Sequence, residues 1–160
     1  MAEIKRQPEI VKLLDLTRQL GAEQEVRAIL TLMAKKAAAL MEADRATIFL
    51  LDKDRNELWS QVTLDGEEIR FDARLGIAGA CVMTGQVVTV ADAQQDTRFH
   101  MAIDARTSYR TKSVLAVPLL TETGECLGTF QLLNKRRGLF NDRDQQLAVD
   151  LAAQVTVAIQ

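Results

Sequence analysis

The sequence has few of the groups that most often carry chemistry. Its 160 residues hold two cysteines, Cys81 and Cys126, and one histidine, His100. Two cysteines so far apart do not match any zinc-site spacing. An ordinary metal site would need carboxylates for most of its ligands. A Ser–His or Cys–His nucleophile would have to route through His100. The expectation is a chain with no catalytic residue, no metal and no covalently bound cofactor. An excess of one charge is missing too. Lys plus Arg is 20 and Asp plus Glu is 22, a net charge of −2, so no basic surface calls for nucleic acid. Val114–Leu120 is the longest apolar run and contains Pro118, far short of the ~20 residues of a membrane helix. The first six residues, Met1-Ala2-Glu3-Ile4-Lys5-Arg6, hold no apolar stretch of the kind a secretory signal needs. The two cysteines then read as thiols of a reducing compartment. The expected setting is cytoplasmic, with neither a membrane nor a nucleic acid as partner.

What is present is ordinary globular material. Apolar residues make up 48% and charged residues 26%, which argues against disorder. At this length one domain is the default. Residues 9–20 carry Ile10, Leu13, Leu14, Thr17 and Leu20 at a 3–4 spacing, a short coiled-coil-like seam, and Gly21 is expected to break it. A second helix over 23–42 places Val26, Ile29, Leu30, Met33, Ala37, Leu40 and Met41 on one stripe.

The period then changes. Ala46–Leu51 and Leu58–Leu64 predict a hairpin around the polar turn at 52–56. Asp65-Gly66 predicts a further turn, with Glu68–Ala73 as a third strand. A short helix from Gly76 ends near Gly85, a residue suited to the position after a helix C-terminus. Val87–Ala91 reads as a short strand, and 101–107 as a helical turn. Strands at 113–120 and 127–133 follow. A last helix runs from a cap at Asn141 or Asp142 to the end, with apolar residues on two flanks: Leu147, Leu151, Val155 and Ile159, then Ala148, Val149, Ala152, Ala153, Val157 and Ala158. Strands not separated by regular helices predict an α+β fold: a mainly antiparallel central sheet, helices on both sides, and the N- and C-terminal helices packed together on one face. There is no internal repeat.

Three stretches carry a resemblance. The first is Gly76-Ile77-Ala78-Gly79 with Thr84-Gly85-Gln86. The second is Asp92 to Phe99, then Asp104, Thr107 and Tyr109-Arg110-Thr111. The third is Leu127-Gly128 through Asn134-Lys135, with Phe140 and Asp144. In this order, from about residue 44 to 160, they resemble a GAF domain, the small-molecule sensor module of cyclic-nucleotide phosphodiesterases and adenylyl cyclases. The resemblance sets the GAF domain at 44–160; the helical lead-in, 1–43, is expected to dimerise, because a seam-like first helix and an open-ended last helix suit a parallel bundle. The resemblance implies a pocket on one sheet face, roofed by short helices, that takes a purine cyclic nucleotide, cAMP or cGMP. Matching positions imply ligand contacts at Thr47, Ile77, Ala78, His100, Asp104, Thr107, Thr111 and Gln131. They also imply a salt bridge from Lys135 to Asp144 that stabilises the lid without touching ligand; an exposed pair would contribute about 0–1 kcal/mol.

Departures from the family pattern are specific. Thr63-Leu64 stands near a usual Phe-Asp, Gln94 stands where a Tyr is common, and the last motif ends Asp144-Gln145 instead of Asp-Glu. Related chemistries lack their residues. A bilin-attaching cysteine beside His100 is replaced by Phe99. The reductase members' cysteines fall at Ala78 and Ile103. Haem would have only His100. The expected function is a regulatory sensing domain of a larger signalling protein, itself no enzyme, working as a homodimer and acting on a C-terminal effector. The alternatives are a ligand-free dimerisation module, or a bilin or haem sensor.

Overall fold

The computed structural model describes residues 2–63, 68–99 and 110–160, with only the backbone described at 2–9, 13–17 and 19–20. The expected helical turn at 101–107 lies outside the described residues. Helix α1 spans Ala2–Leu40 without interruption, so the break expected at Gly21 does not occur. Alanine, leucine, lysine, arginine and glutamate dominate the flanks of Gly21, and these are good helix formers. One glycine costs a helix about 1 kcal/mol, less than ending and restarting two helices would cost in capping and nucleation. The helix stops where Glu42 turns left-handed, at φ 53°.

Strands β1 (Ala43–Asp52) and β2 (Glu57–Thr63) form the expected hairpin. β3 is only Arg70–Asp72, then come helix α2 (Gly76–Thr84), β4 (Val88–Val90) and a 3-10 turn, Ala93–Gln95. β5 (Val114–Leu120), β6 (Cys126–Lys135) and helix α3 (Asp142–Ile159) close the chain. The sheet order is β3-β2-β1-β6-β5-β4, and every described pairing is antiparallel. This is the α+β architecture expected from the sequence.

Alternation sorts the strands onto two faces. Ala46, Ile48, Leu115, Val117, Leu119, Phe130 and Leu132 face the long helices, where Leu30, Ala34, Ala37, Met41, Ala148, Ala152 and Val155 complete the main core. The other face carries Val114 and Ala116 against Ile77 and Cys81 of α2, and Phe49 and Leu58 against Ala78 and Val82. The helices' buried stripes are narrower than the apolar pattern suggests. Ile29 and Leu40 on α1, and Val149 and Val157 on α3, are exposed. Alanines take the innermost positions because a small side chain lets a helix axis approach a sheet closely, and that rotates the larger residues outward.

Candidate functional site

One row of residues crosses the sheet. The register aligns Thr63, Thr47, Gln131, Ala116 and Val88 across β2, β1, β6, β5 and β4. Ala116 and Val88 pack against Ile77 in the first turn of α2, so the β5–β4 end of the row lies beneath the start of that helix. Thr47 is buried. The side-chain Oε1 of Gln131 is buried with no hydrogen-bond partner among the described residues. A buried, unsatisfied carbonyl oxygen costs about 1–3 kcal/mol, so this atom is an acceptor that nothing among the described residues satisfies.

Helix α2 is the roof. No side chain caps its N-terminus at Leu75, which leaves the first N–H groups unpaired by any cap and able to attract an anion. Gly79 is required by close packing: a Cβ there would lie 2.7 Å from the Ala73 carbonyl oxygen. Gly85 ends the helix in the left-handed conformation, φ 66°, and its N–H donates to the Cys81 carbonyl, as a glycine after a helix C-terminus does. Beneath the roof, the Thr129 hydroxyl donates to the Val117 carbonyl at 3.1 Å and lies 3.3 Å from the Cys81 sulfur. Burial pushes the Cys81 thiol up to about 11, so it is a neutral packing group at neutral pH.

The chain re-enters the sheet at 110–113 under tight control. Asn134, left-handed at φ 56°, uses its side chain three times. Its Oδ1 accepts from the N–H groups of Lys112 (2.6 Å) and Ser113 (3.1 Å), and its Nδ2 donates to the Arg110 carbonyl at 2.9 Å. Asparagine tolerates this backbone conformation better than most residues. Gln94 adds a bond from Nε2 to the Thr111 carbonyl, 2.9 Å, and the Ala93 N–H donates to the Lys112 carbonyl. Asp96 and Arg98 form an ion pair at 2.7 Å, and the Arg98 guanidinium holds the Asp96 carboxyl below its ordinary range.

The next residue, Lys135, works in the opposite direction. Its Nζ donates to Asp144 Oδ2 at 2.6 Å and to the Met41 carbonyl at 3.1 Å, and lies 5.9 Å from the centre of the Phe140 ring. Asp144 also closes a capping box with Asn141, accepting from the Asn141 N–H and donating its own N–H to the Asn141 side chain. One lysine therefore joins the end of α1 to the start of α3. The side chains of Lys135 and Asp144 are 11% and 9% exposed. That removes the pair from the class of exposed ion pairs worth about 0–1 kcal/mol, and losing one partner would strand a nearly buried charge.

Of the ligand positions expected from the sequence, the structure groups Thr47, Gln131, Ile77 and Ala78 on one face, and buries Thr111 where the chain re-enters the sheet. His100, Asp104 and Thr107 lie outside the described residues. Asn134 and Gln94 have roles that residue-type reasoning missed. The signal for Asn134 was its place beside Lys135, in a type suited to left-handed backbone. Gln94 stands out in the sequence only as a departure from the family's common Tyr, which does not announce its bond to the Thr111 carbonyl. Among the described residues no group of three or more His, Cys, Asp or Glu could hold a metal ion. No helix there is long and apolar enough to cross a membrane.

Comparison with known proteins agrees with this geometry. The sequence model of the GAF domain family matches residues 25–159, so the match begins inside α1. The chain is 32% identical over 148 residues to the "Probable 3',5'-cyclic phosphodiesterase pde-5" of Caenorhabditis elegans, covering 83% of this chain and 20% of that protein. It is 29% identical over 164 residues to the "Dual 3',5'-cyclic-AMP and -GMP phosphodiesterase 11" of Drosophila melanogaster, covering 91% and 11%. The chain thus spans a fifth or less of these relatives. In fold it is similar to the GAF domain of a phosphoenolpyruvate-protein phosphotransferase from Coxiella burnetii, with a TM-score of 0.76, 20% identity and 91% of each chain covered.

Proposed function

We propose, from the premise that this chain belongs to the GAF domain family, that it is a regulatory sensing domain whose ligand is a purine cyclic nucleotide. The chain itself catalyses nothing in this reading; it binds, and its terminal helices, paired with those of a second copy, carry the signal to an effector. The unsatisfied acceptor at Gln131 is the observation that carries the proposal. A purine edge supplies N–H donors for it, and Thr47 lies beside it in the same row. The uncapped start of α2, with Ile77 and Ala78, suits the cyclic phosphate, since a helix N-terminus favours negative charge by about 0.3–1 kcal/mol at an exposed site. Thr111 is buried in Arg110–Ser113, the segment that Asn134 and Gln94 tie down, and His100, Asp104, Thr107 and Thr111 are the further ligand candidates that the family pattern implies. Lys135 and Asp144 hold the helices to the sheet end without touching ligand. The phosphodiesterase relatives support the ligand class, because their names specify cyclic nucleotides.

Titration calorimetry and thermal shift with cAMP and cGMP test this. Ligand at about 100 times its Kd should stabilise the fold by about 2.7 kcal/mol, a shift of several degrees. Gln131→Leu should abolish that shift while leaving the unliganded fold as stable or slightly more so. No heat and no shift with either nucleotide at millimolar concentration would sink the reading.

A second reading is favoured by a different observation. Phe99 and Leu133 pack with Ile77, Val90, Val114 and Ala116 beneath α2, filling part of the sheet face with side chains. A ligand-free module that only dimerises and transmits would be built this way. It predicts that neither nucleotide changes the melting temperature, while removal of residues 1–20 still weakens self-association.

A further inference from the structure

Helix α1 leaves one face uncovered. Leu30, Ala34, Ala37 and Met41 point into the core. On the opposite side Val11, Arg18, Glu25 and Leu32 follow one another at intervals of one heptad, and all four are exposed, Val11 by 54% and Leu32 by 67%. Residues one heptad apart drift only about 20° around a helix, so they form a single stripe. Gly21 lies between Arg18 and Glu25, and a Cβ there would meet nothing within 4 Å.

The order along the stripe is apolar, basic, acidic, apolar, which is complementary to itself when reversed. Two copies laid side by side in opposite directions, about a twofold axis between residues 21 and 22, set Val11 against Leu32 at both ends. They set Arg18 against Glu25 twice, and Gly21 against Ala22 at the crossing, where small residues permit close approach. The parallel in-register alternative sets Arg18 on Arg18 and Glu25 on Glu25, and like charges across an interface are repulsive.

We propose that a second copy of this chain docks antiparallel on the outer face of α1, through an isologous contact centred on Gly21–Ala22 and registered by two Arg18–Glu25 ion pairs. The two sheet domains then sit at opposite ends of the helix pair. This deepens the homodimer part of the function proposed above and is independent of which ligand the site takes.

Sedimentation of the nucleotide-free chain at low salt, with variants, is the test. The unmodified chain sediments as a dimer. R18E and E25R should each raise the dimer Kd by about tenfold or more, and the R18E/E25R double variant should return to within about threefold of the original. Circular dichroism checks that each variant stays helical. Under oxidation, V11C mixed with L32C should form a disulfide-linked dimer, while V11C alone should not link to itself. Self-linking of V11C, or an R18E chain that dimerises like the original, overturns the antiparallel docking and leaves the homodimer reading standing. A monomer at every concentration overturns both. Failure of nucleotide binding in calorimetry touches neither.

Discussion

Lys135 carries more structural consequence than any other surface-proximal cation in the described chain, because its ammonium is nearly buried between three elements. It satisfies the Asp144 carboxylate and the last carbonyl region of α1 in one geometry. Lys135→Met keeps the stem's apolar packing and deletes the charge, leaving Asp144 with backbone donors only. Chemical denaturation should show a loss of about 3 kcal/mol, the range for breaking a buried pair by removing one partner. A loss below about 1 kcal/mol would mean that water screens the pair. Asp144→Ala should cost more than Lys135→Met, because it also removes half of the α3 capping box.

Among the elements, the end of β6 is the junction on which others depend. Asn134 holds the chain at Arg110–Ser113 and Lys135 faces the helices, so two adjacent residues tie segments on both sheet faces to one strand end. Asn134→Ala removes three hydrogen bonds and puts alanine into a left-handed backbone. Hydrogen exchange should quicken at the amides of Lys112 and Ser113, by about tenfold for each 1.4 kcal/mol of local opening lost. Protection in α3 should stay within about twofold. Unchanged exchange at 112–113 would show that Gln94 and the Ala93–Lys112 bond hold that segment unaided. The elements themselves were mostly legible. The hairpin, the two late strands, the α2 punctuation at Gly85 and the Asn141 cap all follow from local rules. Gly21 does not end the helix, because a breaker acts only when the flanking residues offer an alternative, and here nineteen residues on either side are helical.

At the scale of the molecule, alkaline stability reports the buried sulfur. Cys81 keeps its proton more tightly in the fold, up to about 11, than an ordinary thiol at 9.0. A group held protonated by burial contributes fully below pH 9, and that contribution is lost as pH rises toward 11. Unfolding free energy should fall across that window more steeply than in a Cys81→Ala variant, which starts less stable but lacks this titration. Equal slopes would place Cys81 in contact with water.

The hairpin, the late strands, the α2 stop at Gly85 and the Asn141 cap are readable in the sequence, because they rest on spacing, turn chemistry and capping, all local in the chain; the Lys135–Asp144 pair is what the family resemblance implies, and the structure shows it formed. Side-by-side placement of the candidate residues comes from the fold, because no local rule brings distant strands together. Thr47 and Gln131 meet because register aligns strands 84 residues apart in sequence, and register is set by side-chain packing across the whole sheet. The tertiary structure also decided that Ile29, Leu32 and Val157 face outward while alanines fill the core. Periodicity finds a helix's apolar residues, but the closeness of helix to sheet selects which of them are buried.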